Sequence, residues 1–255
     1  YCGVLRDNNF GQLGVGGLTP ESYNVVFASV QTLKNNIEYL NLSYDFYDFI
    51  VIDEVHHIVA SSYRPILARF SPKVLLGLTA TPERMDGGDV LEDFCGVIAA
   101  EIRLPEALNR RLLCPFQYFG VSDSVDIAEI SWRAGRYDKT ELSKVYTSSE
   151  QRVGEIIEAL QRYVLDVDNV RALCFCVTQD HARFMAEKFN EVGLKSGYLV
   201  SGNNEDRISI RTKFERKEIN YLFVVDIFSE GVDIPSVDTV LFLRPTESLT
   251  VFLQQ

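Results

Sequence analysis

Three things are scarce in this sequence, and each scarcity excludes a class. No apolar run approaches the roughly 20 residues of a membrane-spanning helix, and the opening Tyr1-Cys2-Gly3-Val4 has neither a starter Met nor a signal-peptide pattern. Histidine is limited to three residues, two of them adjacent, and none of the five cysteines (Cys2, Cys95, Cys114, Cys174, Cys176) forms a C-x-x-C pair. Zinc is therefore not expected, and Cys174 and Cys176, alternating with apolar neighbours, read as reduced core thiols of a cytoplasmic protein. Positive charge is also short: 25 Lys+Arg face 36 Asp+Glu, a net of −11, so any contact with nucleic acid must be local rather than held by bulk electrostatics.

What is present is a globular chain of 255 residues, 46% hydrophobic and 24% charged, long enough for one large or two modest domains. Short apolar runs alternate with amphipathic stretches, the pattern of parallel sheets with helical crossovers. Strands are expected at 24–29, 49–53, 73–79, 116–122, 172–177, 195–199, 221–225 and 239–243. A helix is expected from a cap at Ser148-Ser149 to about Val164, and another over 180–191 that stops at Gly193. No internal repeat is evident.

The strongest local signal is Phe49-Ile50-Val51-Ile52-Asp53-Glu54-Val55-His56-His57: a buried strand with two carboxylates at its carboxyl end, where open α/β sheets place their ligands. In phosphoryl transfer such a pair divides its labour, one acid orienting magnesium and the other activating water. Taken alone, the pair could equally be a solvated turn. The next strand, Leu75-Leu76-Gly77-Leu78, ends in Thr79-Ala80-Thr81-Pro82, which sets two hydroxyls at a neighbouring strand end, within reach of the His56 region.

Asp-Glu-x-His followed by Thr-Ala-Thr-Pro resembles motifs II and III of the superfamily 2 helicases and translocases, in a DEVH-box form of the DEAD/DEAH type. Further stretches fit the same family. Ser29-Val30-Gln31-Thr32 resembles motif Ib, although a plain helix N-cap explains Ser29 as well. Leu173-Cys174-Phe175-Cys176-Val177-Thr178 resembles motif IV, Ser201-Gly202 the approach to motif V, and the segment from Asp226 through Gly231, Asp233 and Pro235 motif V itself. Gln254 resembles the first residue of motif VI.

The resemblance implies two RecA-like α/β lobes of the P-loop NTPase type with parallel sheets, the first incomplete, and ATP and Mg2+ bound between them. It gives Asp53 the magnesium, through water, Glu54 the attacking water, and His56, Thr79 and Thr81 the coupling of hydrolysis to movement. Gly231, Asp233 and Gln254 would face the nucleotide, and Ser29, Gln31, Thr32, Thr178, Ser201 and Asp226 a nucleic acid, DNA before RNA. The motifs lie closer to repair- and restriction-type translocases than to the RNA group. No G-x-x-x-x-G-K-[ST] phosphate loop occurs, and the motif VI arginines do not follow Gln254, so the chain is expected to be the middle of a longer enzyme, inactive alone.

The expected organisation is a partial first lobe over 1–104, a connection with an insertion over 105–147, and a second lobe over 148–255 whose first strand starts near 116. A non-catalytic nucleic-acid-binding or scaffolding protein on a degenerate helicase fold remains the alternative. A transporter-type P-loop ATPase is disfavoured by the motif V match.

Overall fold

Alternating apolar runs become parallel strands joined by helices in the computed structural model, which describes residues 2–5, 25–39, 42–58, 62–80, 90–133, 135–199, 204–225 and 234–245. The chain divides into two units, Tyr1–Cys114 and Pro115–Gln255. Each is an α/β lobe with parallel strand pairing, as RecA-like P-loop NTPase domains have.

In the first unit β1 (Cys2–Leu5) pairs in parallel with β2 (Val25–Ala28), and β3 (Phe49–Ile52) with β4 (Val74–Gly77). Because side chains alternate along a strand, β3 and β4 present two faces. Ile50, Ile52 and Leu75 join Val55, Ile58, Tyr63 and Val90 in a core. Ile50 also packs with Ile66 and Phe70, beneath helices α1 (Val30–Asn36) and α2 (Arg64–Arg69). On the other face Phe49, Val51, Val74 and Leu76 are exposed. The unit ends beyond α3 (Leu104–Asn109).

The second unit opens with an extended segment, a small hairpin of β5 (Trp132–Arg133) with β6 (Arg136–Tyr137), and helices α4 (Lys139–Thr147) and α5 (Glu150–Tyr163). There follow β7 (Ala172–Phe175), α6 (Gln179–Glu191), β8 (Ser196–Leu199), α7 (Asn204–Glu215), β9 (Tyr221–Val224) and β10 (Thr239–Phe242). The four long strands form one parallel sheet in the order β10-β7-β9-β8. Parallel strands covered on both faces are apolar throughout, and β7 and β9 are buried at every position. Ala172, Cys174, Tyr221 and Phe223 face a core shared with α5 and α6 through Val153, Leu160, Met185 and Phe189. Leu173, Phe175, Leu222 and Val224 face Phe214 of α7.

Helix ends follow local chemistry. Ser149 caps α5 by accepting from the Arg152 amide at 3.2 Å, Asp138 caps α4 by accepting from the Thr140 and Glu141 amides, and Gly193 leaves α6 at φ +88°.

One expectation is corrected. Residues 116–122 are not a strand: Phe116, Tyr118, Phe119 and Val121 are exposed, and Phe119 stacks on Tyr163 at 4.2 Å instead of entering a ladder. The first strand of the second sheet is therefore β7. Within the expected insertion, Ile130, Leu142 and Tyr146 are buried with Val177 in one cluster. Both cysteines of β7 and its exit, Cys174 and Cys176, are buried and unbridged as expected, and burial raises both thiols above their ordinary range.

Candidate functional site

The carboxyl ends of β3 and β4 are fastened together. Beyond the paired Ile52 and Gly77, the Leu78 amide donates to Ile52 O and the Val55 amide to Leu78 O, both at 2.9 Å. The chain leaving β3 therefore turns back over β4 at once. It does so with Glu54 in the left-handed region, φ 50° and ψ 46°, its amide donating to Asp53 Oδ1 at 3.0 Å. A non-glycine residue in this region is uncommon and is held there by its surroundings.

This turn separates the two acids. The Asp53 residue is exposed, whereas Glu54 is half-buried and its Oε2 is buried without a hydrogen bond among the described residues. Among the described residues, His56 Nδ1 lies 3.4 Å from that oxygen but outside hydrogen-bond geometry. The same Nδ1 lies 3.1 Å from Thr79 Oγ1 at the end of β4. Val55, between Glu54 and His56, is 3% exposed and anchors the turn in the core. An aqueous acid, a shielded acid oxygen, an imidazole and a hydroxyl thus converge at two adjacent strand ends, a set able to take and hand on a proton.

The candidate nucleic-acid residues fare differently. Ser29 is the N-cap of α1, accepting from the Thr32 amide at 3.1 Å and donating to Thr32 Oγ1 at 2.8 Å. Thr32 is 4% exposed, and its hydroxyl oxygen accepts from Ser29. Gln31 is exposed and, among the described residues, donates to Asn35 Oδ1 at 2.8 Å. Thr178 caps α6 through the His181 amide and shares a 2.5 Å hydrogen bond with Ser143. Thr81, Ser201, Asp226, Gly231, Asp233 and Gln254 lie outside the described residues.

Sequence reasoning missed a buried polar node in the second unit, for which no local signal exists because its members come from four separate segments. Arg152, 5% exposed, donates to Asp123 Oδ2 at 2.7 Å and to Leu243 O at 3.1 Å, and its guanidinium lies 3.8 Å from the centre of the Tyr146 ring. Its Nη1 also approaches His181 Nε2 at 3.5 Å, while the Val177 amide donates to His181 Nδ1 at 3.3 Å. A neutral imidazole accepts at only one ring nitrogen, so the tautomer decides which of these two contacts is a hydrogen bond; burial first and the Arg152 charge second push the His181 pKa down to about 3.

Parallel strands with the acid turn at their carboxyl ends define the class, a RecA-like α/β protein of P-loop NTPase type. Residues 4–84 match the family described as type III restriction enzyme, res subunit, and residues 155–255 match the helicase conserved C-terminal domain. The chain has a superfamily 2 helicase-like fold that carries these two domains in that order. It is 29% identical over 209 residues to a 51.5 kDa protein of a Lactococcus phage, covering 81% of this chain and 44% of the phage protein. It is 28% identical over 242 residues to the putative ATP-dependent helicase IRC3 of Saccharomyces cerevisiae, covering 92% of this chain and 34% of the yeast protein. The chain thus spans less than half the length of these relatives. The crystal structure of the Pyrococcus furiosus Hef helicase domain shares the fold, with a TM-score of 0.50 at 16% identity over 99% of this chain and 76% of that one. Among the described residues no helix is long and apolar enough to cross a membrane.

Proposed function

We propose that this chain is the central part of an ATP-dependent helicase or translocase working on nucleic acid, DNA in preference to RNA, with the turn after β3 as its hydrolytic centre. The observation that carries the reading is Glu54 Oε2, a buried carboxylate oxygen with no hydrogen bond among the described residues, beside an imidazole and one residue from an exposed carboxylate. A general base for water needs such an uncommitted lone pair.

Magnesium fits the acid that remains. Among the described residues no group of three or more His, Cys, Asp or Glu could cage a metal, but Mg2+ in phosphoryl-transfer sites keeps its waters and takes only one or two carboxylates plus substrate phosphates. Asp53, exposed and with Oδ1 fixed by the Glu54 amide, suits that office through water. When bound, the ion would neutralise charge on the phosphate oxygens. Glu54 takes the proton of the attacking water, and His56 with Thr79 relays the state of Glu54 to the end of β4, with Thr81 beyond it. Gly231, Asp233 and Gln254 complete the nucleotide contacts, and Gln31 with Ser201 and Asp226 belongs to the nucleic-acid track.

The test is nucleic-acid-stimulated phosphate release by a longer protein containing this chain and a lysine-bearing phosphate loop. Glu54→Gln keeps shape and hydrogen bonding but removes the base, so turnover is expected to fall about 10²-fold or more while ATP binding survives. Near-normal turnover in that variant would assign the base elsewhere, and a wild-type protein that binds nucleic acid without hydrolysing ATP would favour the non-catalytic alternative.

A further inference from the structure

We propose that Gly77 is a positioning residue: the absence of a side chain at the end of β4 is what lets Val55 seat against the strand and thereby sets the depth of Glu54 and His56. A Cβ built on Gly77 would lie 2.9 Å from Val55 Cγ1, 2.8 Å from Phe94 Cζ and 3.1 Å from Phe94 Cε1. The first two distances are below any normal carbon contact, so one neighbour must yield. Nothing in the backbone of Gly77 demands glycine, since its φ lies in the ordinary region, unlike Gly96, Gly135 and Gly193. The requirement is therefore one of space at that face of the strand.

Which neighbour yields decides the consequence. Phe94 is half-buried in the short 3-10 turn Val90–Phe94, and the atoms at issue are the far end of its ring. Val55 is 3% exposed, β-branched and packed among Ile52, Ile58, Tyr63 and Val90, so its one side-chain torsion has little freedom. Its amide is also tied to Leu78 O, one residue beyond Gly77. Pushed from below, Val55 can move only by lifting the backbone that carries Glu54 on one side and His56 on the other. Glu54 is already in the left-handed region, and the His56 Nδ1 contact with Thr79 Oγ1 at 3.1 Å has little slack. The acid of β3 is thus gauged by a missing methyl on β4.

The inference deepens the hydrolytic reading of the same turn, and its bearing on turnover rests on that reading; the seating itself does not. The experiment therefore uses the 255-residue chain and needs no ATP. Long-range proton–nitrogen correlation of the three histidine rings, with His56 assigned by His56→Gln, is compared across Gly77→Ala, Val55→Ala, Phe94→Leu and the two doubles. Gly77→Ala is expected to displace the His56 Nδ1 resonance by more than a linewidth and leave His181, in the other unit, in place. Adding Val55→Ala should return His56 to its position in the Val55→Ala single variant, and adding Phe94→Leu should not. An unmoved His56 in Gly77→Ala, or its return through Phe94→Leu alone, overturns the proposal by showing that the glycine merely clears room for the ring. If Gly77→Ala does not fold, the doubles decide by thermal melting: a cooperative transition regained with Val55→Ala only supports the seat, and any other pattern refutes it.

Discussion

His181 shows how a single buried residue fixes a pH dependence. It is fully buried, its neutral form is favoured by burial and by Arg152, and its folded pKa of about 3 lies below the ordinary 6.5. Between those values the unfolded chain binds a proton that the folded chain refuses, so stability is complete above about pH 6.5 and declines as pH falls toward 3. The slope from this one group is about 1.4 kcal/mol per pH unit. The lone tryptophan, Trp132, sits in the same unit against Tyr137 at 4.6 Å and reports its unfolding by fluorescence. The urea midpoint is expected to fall between about pH 6.5 and 5 in the wild type and to be nearly flat there in His181→Asn, although that variant is less stable at pH 7. An equal pH dependence in both would place the titration elsewhere. The acid turn was legible from Asp53-Glu54-Val55-His56 because chain neighbours carry it; the Arg152 node was not, because Asp123, Arg152, His181 and Leu243 meet only through tertiary packing.

Elements show where periodicity suffices and where it fails. β3, β4, β7, β8, β9 and β10 were readable because each is a short apolar run bounded by turn residues. The run at 116–122 has the same composition yet forms no strand, since a strand exists only through a partner and pairing is not written in local composition. β1 was missed for the converse reason: four residues that include Gly3 carry almost no periodic signal, and pairing with Val25–Ala28 defines them. Within the second sheet, β8 accepts α7 closely because Gly197 has no side chain. A Cβ there would meet Ile210 Cδ1 at 2.8 Å and Ile219 Cδ1 at 2.9 Å. Both are flexible isoleucine tips, so Gly197→Ala is expected to cost about 1–3 kcal/mol, the range for mild overpacking. Chemical denaturation of the variant followed by Trp132 measures it, and an unchanged midpoint would show that the two tips swing aside freely.

At the scale of the whole molecule, the balance of −11 has to be reconciled with the proposed movement on a polyanion. It is reconciled if contact is made by neutral side chains and backbone amides rather than by a basic surface, because phosphate can be held by donors that carry no charge. Among the assigned contacts Gln31 is exposed and neutral, and the hydroxyls of Ser29 and Thr178 are committed to helix caps, which leaves few counterions to release. Binding of a short DNA duplex or single strand by this chain is therefore expected to be weak and indifferent to sequence. The slope of log K against log salt should be no steeper than about −3, corresponding to three or fewer neutralised phosphates. Gln31→Ala should lower affinity and leave that slope unchanged, since an uncharged group displaces no ion, while reversing the charge of Arg133, Arg136, Lys139 and Lys144 should alter little. A steep slope, or a loss of affinity concentrated in the four charge reversals, would move the nucleic-acid track from α1 to the hairpin and α4.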